Sequence, residues 1–203
     1  MQELLEGIHH WTAFRDTIGM RVHSYYVEPA AALIDPMEPD EGLAAFTRLG
    51  RRPEVILLTN RHHFRHSGRF REAFGCEVRA SEPGRADLEG RDVRTFAYGA
   101  EVAPGITALD VGAISPDETA LHIAHGGGAI AVADGVVRFE GELGFVSDEL
   151  MGDDPEGVKR GLRKAYGDLV RRIDFAGLLM AHGEPIAPGG REALQRFVDL
   201  PGS

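Results

Sequence analysis

Leu57-Leu58-Thr59-Asn60-Arg61-His62-His63-Phe64-Arg65-His66-Ser67-Gly68 packs three histidines and two arginines directly behind the apolar run Val55 to Leu58. The run reads as a buried strand. Imidazoles crowded at a strand's C-terminal end are what a metal site looks like in an α/β protein. Guanidiniums in the same few residues oppose one, because two fixed cations repel a third. The stretch places a functional cleft without naming its chemistry.

Outward from this stretch, the neighbouring elements read in sequence. On the N-terminal side, Arg21 to Val27 is β-rich, and Ala31 to Ile34 ends at Asp35-Pro36, where proline stops a ladder. A short helix is expected next, capped by Asp40, with Leu43, Phe46 and Leu49 on one face and Gly50 closing it. On the C-terminal side, Ser67 to Phe74 suits a helix, with Phe70 and Phe74 four residues apart and Gly75 ending it. Strands resume around Glu77–Ala80, Val93–Tyr98 and Ile106–Val111. Ala120–Ala124 and Ala129–Ala133 flank a glycine triplet and read as a hairpin. Asp154-Pro155 opens the clearest helix, in which Val158, Leu162, Ala165, Leu169 and Ile173 hold a helical period. Phe175 to Met180 reads as a short buried strand, and Arg191 to Val198 as a last helix. This order predicts a two-layer or four-layer α/β arrangement with much antiparallel sheet. No internal repeat or linker divides residues 1–203, which read as one domain.

Composition narrows the function. A net charge of −10 argues against nucleic acid or an anionic membrane as the main partner. Against that background, residues 51–71 hold six arginines and a single acid, Glu54. Arg51, Arg52, Arg69 and Arg71 are expected on a solvated face, whereas Arg61 and Arg65 sit among the histidines. A lone cysteine, Cys76, excludes an internal disulfide, makes a buried structural thiol the expected role and the cytoplasm the expected compartment. The N-terminal residues lack the pattern of a signal peptide. His9 and His10 read as surface or packing residues beside Trp11, and His122 and His125 as opposite faces of an extended segment.

Four landmarks now line up: Leu33-Ile34-Asp35-Pro36, Thr59 to Gly68, Ala133-Asp134-Gly135, and Ala181-His182-Gly183-Glu184-Pro185. In that order, across nearly the whole chain, they resemble the metallo-β-lactamase fold superfamily. There an early strand ends in aspartate, and a T-H-x-H-x-D-H-x-G loop carries most metal ligands. A later histidine, a bridging aspartate and a final H-G strand end follow. The resemblance implies a four-layer αβ/βα sandwich with the metal cleft at one edge of its two sheets. Anchored on His66-Ser67-Gly68, it puts Arg61 and His63 at the loop's first two histidine positions and Arg65 at its aspartate. Ile114 takes the place of the later histidine, while Asp134 and His182 match. A second register, with His62 and Arg65 in ligand positions, keeps fewer matches.

The resemblance therefore implies a degenerate metal site. One metal's ligands become Arg61, His63 and Ile114, so a dinuclear centre is not expected. The other's become Arg65, His66, Asp134 and His182, of which three can bind zinc. The candidate ligands are thus His63, His66, Asp134 and His182. Arg65 is expected to pair with Asp134 in place of the metal, with Arg61 as a second donor. The expected protein has no metal, weak or no hydrolase activity, and a small anionic ligand held by Arg61 and Arg65. The alternative is a hydrolase with one zinc ion acting on an ester, thioester, lactone or phosphoester.

Overall fold

The computed structural model describes residues 1–200. The chain runs β1 (Gln2–Leu5), β2 (Ile8–Arg15), β3 (Met20–Val27), β4 (Ala32–Ile34), β5 (Val55–Leu57), α1 (Ser67–Phe74), β6 (Glu77–Ser81) and β7 (Arg94–Phe96). It continues through β8 (Glu101–Ala103), β9 (Ile106–Asp110), β10 (Thr119–Ile123), β11 (Ala129–Val132), β12 (Val137–Phe139), β13 (Glu142–Gly144), α2 (Pro155–Arg172), β14 (Gly177–Met180) and α3 (Gly190–Asp199).

The first seven strands form one sheet in sequence order, and β14-β11-β10-β9-β8 form a second. Three apolar layers hold these sheets and the helices together. Tyr25, Val27, Ile34 and Leu57 of the first sheet meet Ile106, Leu121, Ile123 and Leu179 of the second between the sheets. On the outer face of the first sheet, Ile56, Leu58 and Val78 pack against Phe46 and Phe70. On the outer face of the second, Ile130, Val132, Leu178 and Met180 pack against Leu162, Leu169 and Leu194 of α2 and α3. Alternation along each strand sends neighbouring side chains to opposite faces, so each strand feeds two of the three layers. The result is the four-layer αβ/βα sandwich.

Local chemistry explains the element ends. The Asp154 carboxylate accepts from Gly157 N at 2.9 Å and caps α2, and Pro155 fills its first turn. Gly75 closes α1 at φ 75°. The element expected after Asp40 is instead a 3₁₀ turn over Leu43–Arg48, preceded by Gly42 at φ 72°. Asp40 therefore does not cap it, and three proline or glycine positions before Leu43 leave no room for a longer helix. Cys76 is buried, and burial pushes its thiol up to about 11, so it is an inert packing group. No helix is long and apolar enough to cross a membrane among the described residues.

Candidate metal centre

The site lies where several parallel strands end. β11 and β14 run parallel with Val132 opposite Met180. Two residues beyond each lie Asp134 and His182, so the register brings them level. β4 and β5 are also parallel, with Ile34 opposite Leu57. One residue beyond Ile34 is Asp35, which faces the start of the histidine-rich loop. Ligand sites in α/β sheets form at such C-terminal strand ends.

That loop is a 3₁₀ turn over Arg61–Phe64, capped by the Asn60 side chain, which accepts from His62 N at 2.9 Å. Arg65 then takes a positive φ of 43°, and α1 starts at Ser67. The turn points His63 inward and fully buries it. Its Nδ1 lies 2.9 Å from Asp35 Oδ2, and the same carboxylate accepts from Thr59 N at 2.9 Å and Thr59 Oγ1 at 2.5 Å. Asp35 thus fixes the His63 ring and leaves Nε2 facing the cleft.

Three side chains converge there. His63 Nε2 is 3.2 Å and His182 Nε2 is 3.1 Å from Asp134 Oδ1. Neither contact has hydrogen-bond geometry, and Oδ1 is buried without a hydrogen-bond partner. The other Asp134 oxygen accepts from Asn60 Nδ2 at 2.7 Å. One donor atom from each of His63, Asp134 and His182 lies within 4.8 Å of the others. Two imidazoles and a carboxylate aimed at a shared point, with an orphaned oxygen among them, suit a single divalent transition metal. The Asp35–His63 contact is the outer-shell carboxylate such a ligand usually has.

The electrostatics agree. Burial acts to lower the His63 pKa, but the carboxylates of Asp35 and Asp134 outweigh it and push it up to about 9. Burial raises and the two imidazoles lower Asp134, and the imidazoles win, holding it well below the usual carboxylate range. Without a metal, the His63 imidazolium is thus the cation between two carboxylates. Behind them Glu118 is fully buried, its Oε1 accepting from Gly135 N at 2.6 Å. Burial and the neighbouring Asp134 charge raise the Glu118 pKa and favour its neutral form.

The expected ligands fall unevenly about this centre. His63, Asp134 and His182 meet, and His66 does not join them. His66 stands at the N-cap of α1, where its Nδ1 accepts from Glu38 N at 3.0 Å. Ile114 lines the cleft and brings no donor atom. His62 also lines it but lies outside the cluster.

The arginines need correction. Arg65 does not pair with Asp134. Its Nη1 donates to the carbonyls of His23 at 2.6 Å and Asp35 at 2.8 Å, while Nε and Nη2 are buried without partners. Arg65 has a positive φ, and its buried guanidinium stays within electrostatic reach of the Asp35 and Asp134 carboxylates and the His63 ring without bonding them. Arg61 does not reach Asp134 either. It is ion-paired with the buried Asp117 and lies 3.3 Å from Asp87. Arg61 is thus engaged by acidic partners, whereas Arg65 keeps two donor nitrogens without partners.

The site also holds residues that the sequence does not mark. Thr59 and Asn60 bond the carboxylates of Asp35 and Asp134, and Glu118 is a further carboxyl group buried behind Asp134. Of the two readings for His10, packing holds: it is buried, and its Nε2 lies 2.9 Å from Nδ1 of the equally buried His23. The rings are inclined by 7° with centroids 5.1 Å apart. That separation is close to the largest a 2.9 Å contact allows, so the rings meet edge to edge and share one proton. With Glu184 they offer three donors within 4.8 Å. Their facing nitrogens are already committed to each other, which makes this a poor metal site.

These residues open onto a cavity of about 910 Å3. No family model and no curated protein matches the chain. Solved structures do. The chain is similar to TTHA1623, solved in a di-iron-bound form, at 24% identity and TM-score 0.67, over 92% of this chain and 99% of that one. It is similar to a metallo-β-lactamase from Hirschia baltica at 15% identity and TM-score 0.67, over 100% and 98%. A metallo-β-lactamase from Pontibacter korlensis matches at 16% identity and TM-score 0.67, over 98% of each chain. Such low identities speak for architecture alone, and they show that this chain has the metallo-β-lactamase fold.

Proposed function

We propose that the protein is a hydrolase that uses one divalent metal ion, held by His63, Asp134 and His182. The observation that carries this reading is the buried Asp134 Oδ1, which has both imidazole Nε2 atoms beside it and no hydrogen bond. Arg65 agrees with it, because the guanidinium hydrogen-bonds the carbonyls of His23 and Asp35 and leaves the Asp134 carboxylate to the two imidazoles. Zinc bound there would supply Lewis-acid polarisation of a carbonyl or phosphoryl oxygen and an activated water. Three protein ligands leave the open position that such chemistry needs. A dinuclear centre is disfavoured, since Ile114 has no donor and Arg61 is held by Asp117.

The chain's own residues then have separate tasks. Asp35 and Thr59 fix the His63 ring so that Nε2 presents its lone pair once the ring is neutral. Asn60 holds the second oxygen of Asp134, leaving Oδ1 to the cluster. Glu118, buried behind Asp134, accepts from Gly135 N and so holds the backbone beside the Asp134 ligand. The bond classes that suit this arrangement are esters, thioesters, lactones and phosphoesters.

The test is hydrolysis of a panel of activated esters, a thioester, a lactone and a phosphodiester by zinc-loaded protein. The proposal predicts turnover of at least one that is removed by chelator, restored by zinc, and absent in His182→Ala. Equal turnover by wild type and His182→Ala, or no turnover by zinc-loaded protein, would reject it.

A further inference from the structure

The outer cleft is more apolar than a metal site requires. Among the described residues, five large hydrophobic side chains are strongly exposed: Phe14, Ile18, Phe139, Leu150 and Leu200. Three of the five, Ile18, Phe139 and Leu150, line the cavity of about 910 Å3 above the cluster. They arrive from three separate segments, the β2–β3 hairpin, the end of β12 and a 3₁₀ turn ahead of α2. Single exposed apolar residues are ordinary, whereas a set that converges on one concave site marks a ligand surface. Phe139 and Leu150 are 69% and 70% exposed, so they contribute little to the core.

Charge divides the same rim. Arg21 follows Ile18 on the hairpin, lines the cavity and shares the face of His23, whereas Arg15, opposite Met20, lies on the other face of the hairpin. Arg21 bonds a hydroxyl rather than a carboxylate: its Nη1 donates to Thr12 Oγ1 at 3.2 Å. Glu140 and Glu184 also line the cavity and give it an acidic part. In a chain of net charge −10, an arginine without an acid partner beside an apolar wall complements an anion that carries an apolar body.

We propose that the cleft takes an amphiphile: an acyl-type chain against Ile18, Phe139 and Leu150, with one anionic group at Arg21. The bond to be cleaved rests on the hydrolase reading, but binding of the amphiphile does not need the metal. A cavity of this volume holds a whole small molecule, which favours a soluble ligand over a membrane surface.

The test is calorimetry on chelator-treated full-length protein with hexanoate, octanoate and decanoate, each below its aggregation concentration. Each buried methylene is worth about four-fold in Kd, so decanoate should bind about 15-fold tighter than octanoate. The double variant Phe139→Ser/Leu150→Ser should flatten this dependence with an unchanged circular dichroism spectrum, since both side chains are exposed. Arg21→Gln should weaken decanoate about ten-fold and leave decanol unchanged. A Kd that does not change along the series would overturn the proposal. So would an Arg21→Gln variant that binds decanoate as wild type does. Sedimentation with phosphatidylglycerol vesicles, or a dimer that buries the patch, without chain-length-dependent binding of free carboxylates, would also overturn it. Loss of zinc binding with the chain-length series intact would sink only the hydrolase reading.

Discussion

Replacing Asp35 by Asn tests how the His63 ring is set. The carboxylate is buried and meets three groups: Thr59 N, Thr59 Oγ1 and His63 Nδ1, all within 2.9 Å. An amide keeps one oxygen for Thr59 N but turns an NH2 toward Thr59 Oγ1 and His63. Two consequences follow. First, the buried His63 cation loses one of its two counter-charges, and breaking a buried pair of this kind costs about 3–5 kcal/mol. Second, His63 can adapt by accepting on Nδ1, which puts its proton on Nε2, where the metal needs a lone pair. Loss of an outer-shell partner of this kind lowers metal affinity by about 10–100-fold. The assays are urea unfolding in chelator, for the first effect, and zinc calorimetry, for the second. Unfolding within about 1 kcal/mol of wild type, a margin typical of surface changes, together with unchanged zinc affinity, would refute the role given to Asp35.

Three further outcomes follow from the same contacts. Arg65→Asp should not raise zinc affinity, because the Arg65 side chain is directed at the carbonyls of His23 and Asp35 and not at Asp134, and it should destabilise by several kcal/mol by placing a carboxylate near those carbonyls; calorimetry and urea unfolding check both. His66→Ala should lose only the contact with Glu38 N, about 1 kcal/mol in urea unfolding, and keep wild-type zinc affinity. Burial, aided for His23 by nearby cations, lowers His10 to about 4 and His23 to about 3. Both pKa values are depressed on folding, so the unfolded chain binds more protons below the ordinary 6.5; stability is full above that pH and is lost as pH falls toward 4 and 3, by up to about 1.4 kcal/mol per unit for each ring. A His10→Phe/His23→Phe variant that folds should show a shallower acid limb in urea unfolding between pH 6.5 and 4, and an unchanged limb would remove the pair from the account.

The strand-turn-helix around the histidines was legible in sequence because each part has a local cause: the apolar run Val55–Leu58, the polar break behind it, and the Phe70/Phe74 face of α1. Asp134 and His182 were legible for a related reason, each lying just past a short apolar strand. The choice between His63 and His66 was not. It turns on a 3₁₀ turn and one residue at positive φ, Arg65, and nothing in an arginine's chemistry announces that conformation. The fate of Arg65 depended on two carbonyls from β3 and β4, groups that every residue carries. His10 and His23 meet diagonally across β2 and β3, where Tyr25 is opposite His10 and Thr12 opposite His23, and the pairing register was not readable from either strand alone. Asp40 looked like a cap, but Gly42 at positive φ ended the approach to the 3₁₀ turn instead.

The central claim is one metal ion on His63, Asp134 and His182. The most direct measurement is the zinc content of protein stripped with chelator, reloaded with excess zinc and freed of unbound metal, read by mass spectrometry of the element beside calorimetry. The account predicts one zinc per chain in wild type and in His66→Ala, and none retained in His63→Ala, Asp134→Ala or His182→Ala. Two ions per chain in wild type, or one ion that survives His63→Ala and is lost in His66→Ala, would contradict it.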